Sequence, residues 1–241
     1  MYWRIGLVSC ALLSSVPAYA HEPILLDARS ATPGLRLELS EPVPTKVPGD
    51  VGYRLQAAGL PRGIIFNVWA KDFGHSFHEA ASGFQVDQSG TVVSSELDGA
   101  GRPGRLEELV FGPGPYPRGA IWEVALVSAD HALKAFAKVI PHPISARDGS
   151  CAVSLEIISR RGERFVATGA GFAPGDEVIT ELRYGGRVIQ KRQRVSAEGR
   201  LPPDVISHGS IGADRSARYV AKGRSCEVAV EYEWGEPALK R

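Results

Sequence analysis

The sequence predicts an all-β protein of antiparallel strands, and three observations carry that prediction. Apolar residues recur at every second position in short runs, the period of half-buried strands rather than helices. Turn signals rich in Gly and Pro separate the runs at regular intervals. Gly and Pro supply 27 and 17 of the 241 residues, above the ordinary share and below the roughly 25–30% that marks low complexity. The surplus therefore belongs to turns rather than disorder. A chain that is 44% hydrophobic and 23% charged has enough apolar material for one large or two small cores.

Residues 1–20 divide into a start carrying Arg4, an apolar run from Ile5 to Leu13, and Ala18-Tyr19-Ala20 before His21. That is the order of a secretory signal peptide, and it predicts a mature protein beginning at His21. A second reading takes Leu7-Val8-Ser9-Cys10 as a lipoprotein signal with Cys10 as the lipidated residue, although almost no apolar region precedes the cysteine. After His21 no apolar stretch approaches the length of a membrane-spanning helix, so no transmembrane segment is expected. The formal charge of +1 falls to zero once Arg4 is removed. Such a balance argues against a nucleic-acid partner, which calls for a basic domain or patch.

In the first half, Leu35, Leu37 and Leu39 alternate with Arg36 and Glu38, and Tyr53, Leu55 and Ala57 with Arg54 and Gln56; Phe66 and Val68 continue the pattern. Turns are expected at Pro48-Gly49-Asp50, at 59–63, at Ser89-Gly90 and at 112–115. The Ala-rich stretch from Asp130 to Ala137 invites a helix. Two strands are preferred, Ile121 to Val127 and Leu133 to Ile140, joined by a turn at 128–131. Pro141-His142-Pro143 enforces an extended path, and 144–149 completes a short connection. The net charge is −3 over 21–150 and +3 over 151–241, so two halves meeting near residue 149 would attract weakly.

In the second half, Val153, Leu155 and Ile157 share a face with Cys151, and Val228, Val230, Tyr232 and Trp234 share one with Cys226. Each cysteine stands on the apolar face where a strand begins. If the two strands run parallel as neighbours, both sulfurs fall inside at one end. In an oxidising compartment two such thiols are expected to form one disulfide. A redox role would call for closer spacing and an exposed, acidified thiol.

Between the cysteines, Gly169-Ala170-Gly171-Phe172-Ala173-Pro174-Gly175-Asp176-Glu177-Val178 resembles a segment of bacterial extracytoplasmic immunoglobulin-like modules, where it joins two early strands across a turn. The resemblance implies a seven-strand sandwich for the second half, with a more divergent module before it. The organisation expected is a signal peptide at 1–20, a first β-sandwich domain at 21–140, a linker at 141–149, a second, disulfide-bearing domain at 150–236 and a tail at 237–241. That makes two immunoglobulin-like antiparallel sandwiches in tandem. The architecture itself implies no activity.

Gly99-Ala100-Gly101-Arg102-Pro103-Gly104 fits a dinucleotide fingerprint only in letters, because Pro103 and the β context deny it a helix N-terminus. No G-x-S-x-G, H-E-x-x-H, P-loop or C-x-x-C occurs, and no catalytic residue is assigned. Metal offers the best chemistry. A mature His21 would present its amine and imidazole together, a chelate suited to Cu(II). Leu35 to Val43 and Val127 to His131 are similar to segments of CopC-type periplasmic copper carriers. That resemblance implies Asp130 and His131 as ligands, although the family separates its Asp and His by one residue and here they are adjacent. His75, His78 and Glu79, with Asp72, form a second candidate cluster; its alternative reading has Phe73 and Phe77 buried and the polar residues solvated.

Arg183, Arg187, Lys191, Arg192 and Arg194 bracket a turn at Tyr184-Gly185-Gly186. They suit either an anionic contact or the protection of an exposed strand edge. Trp69, Trp122 and Trp234 are read as packing residues, and His142 and His208 as loop histidines without a role. The function expected is that of an exported, non-catalytic binding, adhesion or scaffolding protein, periplasmic or secreted, meeting an envelope protein or polymer and holding no cofactor. The alternative is a periplasmic Cu(II)-binding protein.

Overall fold

The computed structural model describes residues 26–97, 103–209 and 214–240. The signal segment, Cys10, His21 and the glycine motif up to Arg102 lie outside the described residues. Within them the protein is all-β, with short 3₁₀ turns and no α-helix.

Among the described residues the first half holds ten strands: β1 (Arg36–Leu39), β2 (Val43–Pro44), β3 (Val51–Ala58), β4 (Phe66–Lys71), β5 (His78–Val86), β6 (Val92–Leu97), β7 (Pro103–Arg105), β8 (Val110–Phe111), β9 (Trp122–Ser128) and β10 (Lys134–Val139). One sheet runs β1-β3-β2, with β8 also on β3; the other runs β10-β9-β4-β5-β6-β7. Leu37, Tyr53 and Leu55 of the first face Phe66, Val68, Phe84, Trp122, Val124 and Leu126 of the second across one core. Expected alternation becomes layering here, since residues two apart on a strand share a face.

The ambiguous stretch after residue 120 is a hairpin. Asp130 closes its turn by accepting hydrogen bonds from the Ser128 hydroxyl at 2.5 Å and the Ala132 amide at 3.1 Å. His131 takes a left-handed φ of 61°, the turn conformation that stops the Ala-rich run from continuing as a helix.

The second half holds β11 (Ile144–Asp148), β12 (Cys151–Ile157), β13 (Arg164–Ala170), β14 (Glu177–Tyr184), β15 (Arg187–Arg194), β16 (Arg200–Ser207), β17 (Ser216–Lys222) and β18 (Glu227–Glu233). They form two four-stranded antiparallel sheets, β11-β12-β13-β16 and β15-β14-β17-β18, closed on one core. The stretch expected as a short connection thus supplies β11, which pairs with β12 over Ile144–Asp148 and brings the strand count among the described residues to eight. Ile144, 4% exposed, explains this: an apolar residue beside a sheet edge gains more buried than in a solvated linker.

Cys151 and Cys226 are joined, with Cα atoms 6.4 Å apart. Their strands are not neighbours in one sheet; β12 and β18 lie in opposite sheets, so the bridge ties the two layers together. The Gly169–Val178 segment crosses between the layers as well, from β13 to β14. Gly171 adopts a φ of 78°, and a side chain there would run into the Ser150 carbonyl. Phe172 and Val178 are buried, and Asp176 pairs with Arg224 at 2.9 Å.

The halves meet at Gly119, whose amide donates to the His142 carbonyl at 2.7 Å and whose carbonyl accepts from the Ile157 amide at 2.8 Å. Phe73 packs against both cores.

Candidate functional site

Two hairpin features place the candidate site. Gly185 and Gly186 both have positive φ, 52° and 74°, as a two-residue type I′ turn requires. The register pairs Tyr184 with Arg187 and Arg183 with Val188, while Arg183 also faces Arg218 on β17. Next to this hairpin end, an open groove of about 710 Å³ is lined by Tyr184, Tyr232, Ala217 and Ala238 beneath a charged rim. The rim carries Arg183, Arg187, Arg218, Lys240 and, from the first half, Arg118; Asp214, Glu231 and Glu233 oppose them. Cations exceed anions by two.

The balance of pairing matters more than the count. Arg183 contacts Glu181, whose carboxyl is held below its usual range by the hydrogen bond from Arg183. Arg218 reaches Glu231 only at 4.0 Å. Lys240 pairs with Glu236 at 2.8 Å, and Asp214 is occupied by the Ser216 amide and hydroxyl, which lower its pKa. Among the described residues no ion pair engages Arg118 or Arg187. Like charges directly opposite on a sheet, as at Arg183 and Arg218, are destabilising without a compensating anion; here Glu181, which feels both, and Glu231 supply it.

Of the five basic residues singled out in the sequence, only Arg183 and Arg187 reach the groove. Lys191 turns to Asp204 on β16 at 2.5 Å and Arg192 to Glu177 at 3.6 Å; Arg194 ends the exposed edge strand. Arg118, Arg218 and Lys240 were missed, because they come from three distant segments that only folding unites.

No family model and no curated protein matches this chain. Among solved structures, a tetra-tandem repeat in the extending region of a large adhesion protein is similar at 13% identity over 83% of this chain and 48% of that one, with a TM-score of 0.25. The chain thus spans about half the length of that neighbour, and such a TM-score lies below what a shared fold requires.

The candidate metal ligands among the described residues serve turns and strand ends. Asp130 serves its turn, and the hydrogen bond from Ser128 lowers its pKa. His131 meets Trp69 edge-on at 6.3 Å. His75 closes a turn onto Asp72, His78 opens β5, and Glu79 accepts from Asn67 at 2.9 Å. Phe73 and Phe77 are half-buried, Phe77 against Phe136. Among the described residues, no three His, Cys, Asp or Glu side chains gather where they could hold a metal ion.

His208 was passed over in the sequence, yet it is buried directly behind the groove. Its Nε2 lies 2.9 Å from the Tyr232 hydroxyl, and its ring stacks on Trp234 at 4.9 Å and meets Tyr184 edge-on at 4.8 Å. Desolvation pushes its pKa down to about 4, so it is neutral near pH 7. The signal was present: Asp204, Ile206 and His208 continue an inward face at period two, displaced by Pro202-Pro203.

Proposed function

We propose that this is an exported, non-catalytic binding protein of the cell envelope, acting in adhesion or scaffolding, whose groove beside the β14–β15 hairpin engages an anionic partner. The supporting observation is the convergence of Arg118, Arg183, Arg187 and Arg218 at one groove, with Arg118 and Arg187 lacking an ion pair among the described residues. An incoming anion would give Arg118 and Arg187 the partner that Arg183 and Arg218 already have in Glu181 and Glu231. The apolar floor gives it a surface to rest on, and the disulfide suits an oxidising compartment.

The test is titration with short poly-glutamate, comparing the parent with an Arg118→Ala, Arg218→Ala double variant. We expect binding that weakens with salt and drops about tenfold in the variant, as loss of charge contacts at a contact site does. Equal affinity for both proteins would remove the groove from the contact surface.

A further inference from the structure

The second sandwich has four strand edges, and they are not equally protected. At β16, Pro202 and Pro203 withhold amides and the pairing with β13 shifts register between Ala167 and Gly169. β11 is short and lies alongside β18, whose first amide, at Glu227, is taken by the Asp148 carboxylate at 2.9 Å. β15 touches β16 through Lys191 on Asp204, but its backbone is left open. It runs eight residues without proline, pairs with β14 along its whole length without a bulge, and is exposed at every position except Gln193. Bulges, prolines and short lengths are the usual devices that blunt an edge. Here charge and the side-chain contact with β16 remain.

The direction of the free backbone groups follows from the turn. In a two-residue hairpin the flanking pair, Tyr184 and Arg187, is hydrogen-bonded, and such pairs alternate along an antiparallel ladder. The N–H and C=O groups of Val188, Gln190, Arg192 and Arg194 therefore point away from β14. Among the described residues no backbone hydrogen bond outside the ladder engages 187–194. The side chains of these four residues all lie on the outer face, where Val188 is 58% exposed.

We infer that β15 is a strand-addition edge that receives an acidic extended peptide from a partner protein. This rests on reading the protein as a binding module, and it names the partner's chemistry and a docking mode that the groove alone does not give. The strand carries Arg187, Lys191, Arg192 and Arg194 and no acid. Lys191 is held by Asp204 and Arg192 reaches Glu177 only at 3.6 Å, so Arg192 and Arg194 on the outer face and Arg187 on the other repel a second β15 and attract a strand bearing carboxylates at alternate positions. Main-chain hydrogen bonds would supply affinity and the charges specificity.

The probe is a labelled peptide alternating Glu with Val, titrated into the full mature chain, beside a peptide of equal charge with a central proline. We expect the alternating peptide to bind at least about tenfold more tightly than the proline peptide. Gln190→Pro removes one outward amide and no ladder bond, the position in which an edge strand tolerates proline; it should cost about tenfold in affinity. Should that variant melt early, Arg192→Glu with Arg194→Glu decides, with a similar loss expected. Equal binding of both peptides, or unchanged affinity in a folded Gln190→Pro variant, overturns strand addition. Loss confined to Arg118→Ala with Arg218→Ala would also overturn it while leaving the groove reading intact. Concentration-dependent self-association of the protein alone, abolished by Gln190→Pro, would make a second copy the occupant and likewise overturn the proposal.

Discussion

The two halves solve the same packing problem by different means. In the second, four strands face four, inward side chains come at every second position in β12, β14 and β18, and Val153, Leu155, Phe165, Val178 and Trp234 are essentially inaccessible. The first half carries strands of two or three residues, leans on many half-buried apolar residues around its core, and concentrates burial in β9. That strand is buried on both faces, with Val124, Ala125, Leu126 and Val127 all at 0% exposure. The second half therefore owes its order to two four-stranded layers and a covalent tie, the first to one strand, β9, enclosed between β10 and β4 and buried on both faces.

The largest test of that contrast removes the tie. Replacing Cys151 and Cys226 by Ser opens a link across 75 residues of sequence, and on the chain-entropy model this costs about 4 kcal/mol. Hydrogen exchange should show amides of β14 and β17 losing that much protection while those of β4 and β9 keep theirs. Equal losses in both halves would show that they unfold as one unit.

A smaller effect separates the halves by pH. His208 titrates at about 4 when folded and near 6.5 when unfolded. The folded form thus binds the proton less readily, so its contribution is full above pH 6.5 and is lost as pH falls from there towards 4. The gap corresponds to about 3 kcal/mol. Urea unfolding between pH 7 and 4 should show this slope in the second half. His208→Gln, which does not titrate, should flatten it; an unaltered slope in the variant would assign the acid sensitivity elsewhere.

His208 also shows where the sequence was legible. Regular alternation revealed β1, β3, β12 and β18, because a half-buried strand writes its two faces directly into the residue order. The cysteine pair could be read for the same reason, since each sits in phase with an apolar face; that the strands belong to opposite sheets could not, because alternation does not say which strands are neighbours. β11 was hidden by flanking prolines, and His208 by Pro202-Pro203, which shift the phase of the inward face. At the groove, the hairpin arginines were visible as a cluster. Arg118 and Arg218 were not, because their partnership is set by strand order and by how the halves meet.

That meeting point provides the last and smallest test. Gly119 is buried with a φ of 76°, and an added Cβ would stand 2.8 Å from Ile144 Cδ1 and 3.0 Å from the Leu155 carbonyl. Gly119→Ala should cost about 1–2 kcal/mol for the left-handed backbone alone, with some further loss because Ile144 must move. The change falls where the first half touches β11 and β12, so it weakens the coupling more than either core. In hydrogen exchange we expect faster exchange of the amides at positions 119 and 157, which join the halves among the described residues, with the central strands of both cores unaltered. If instead β12 and β13 lose protection throughout, the Gly119 turn is part of the second core, and the contrast between the halves must be redrawn with residues 117–120 on the other side.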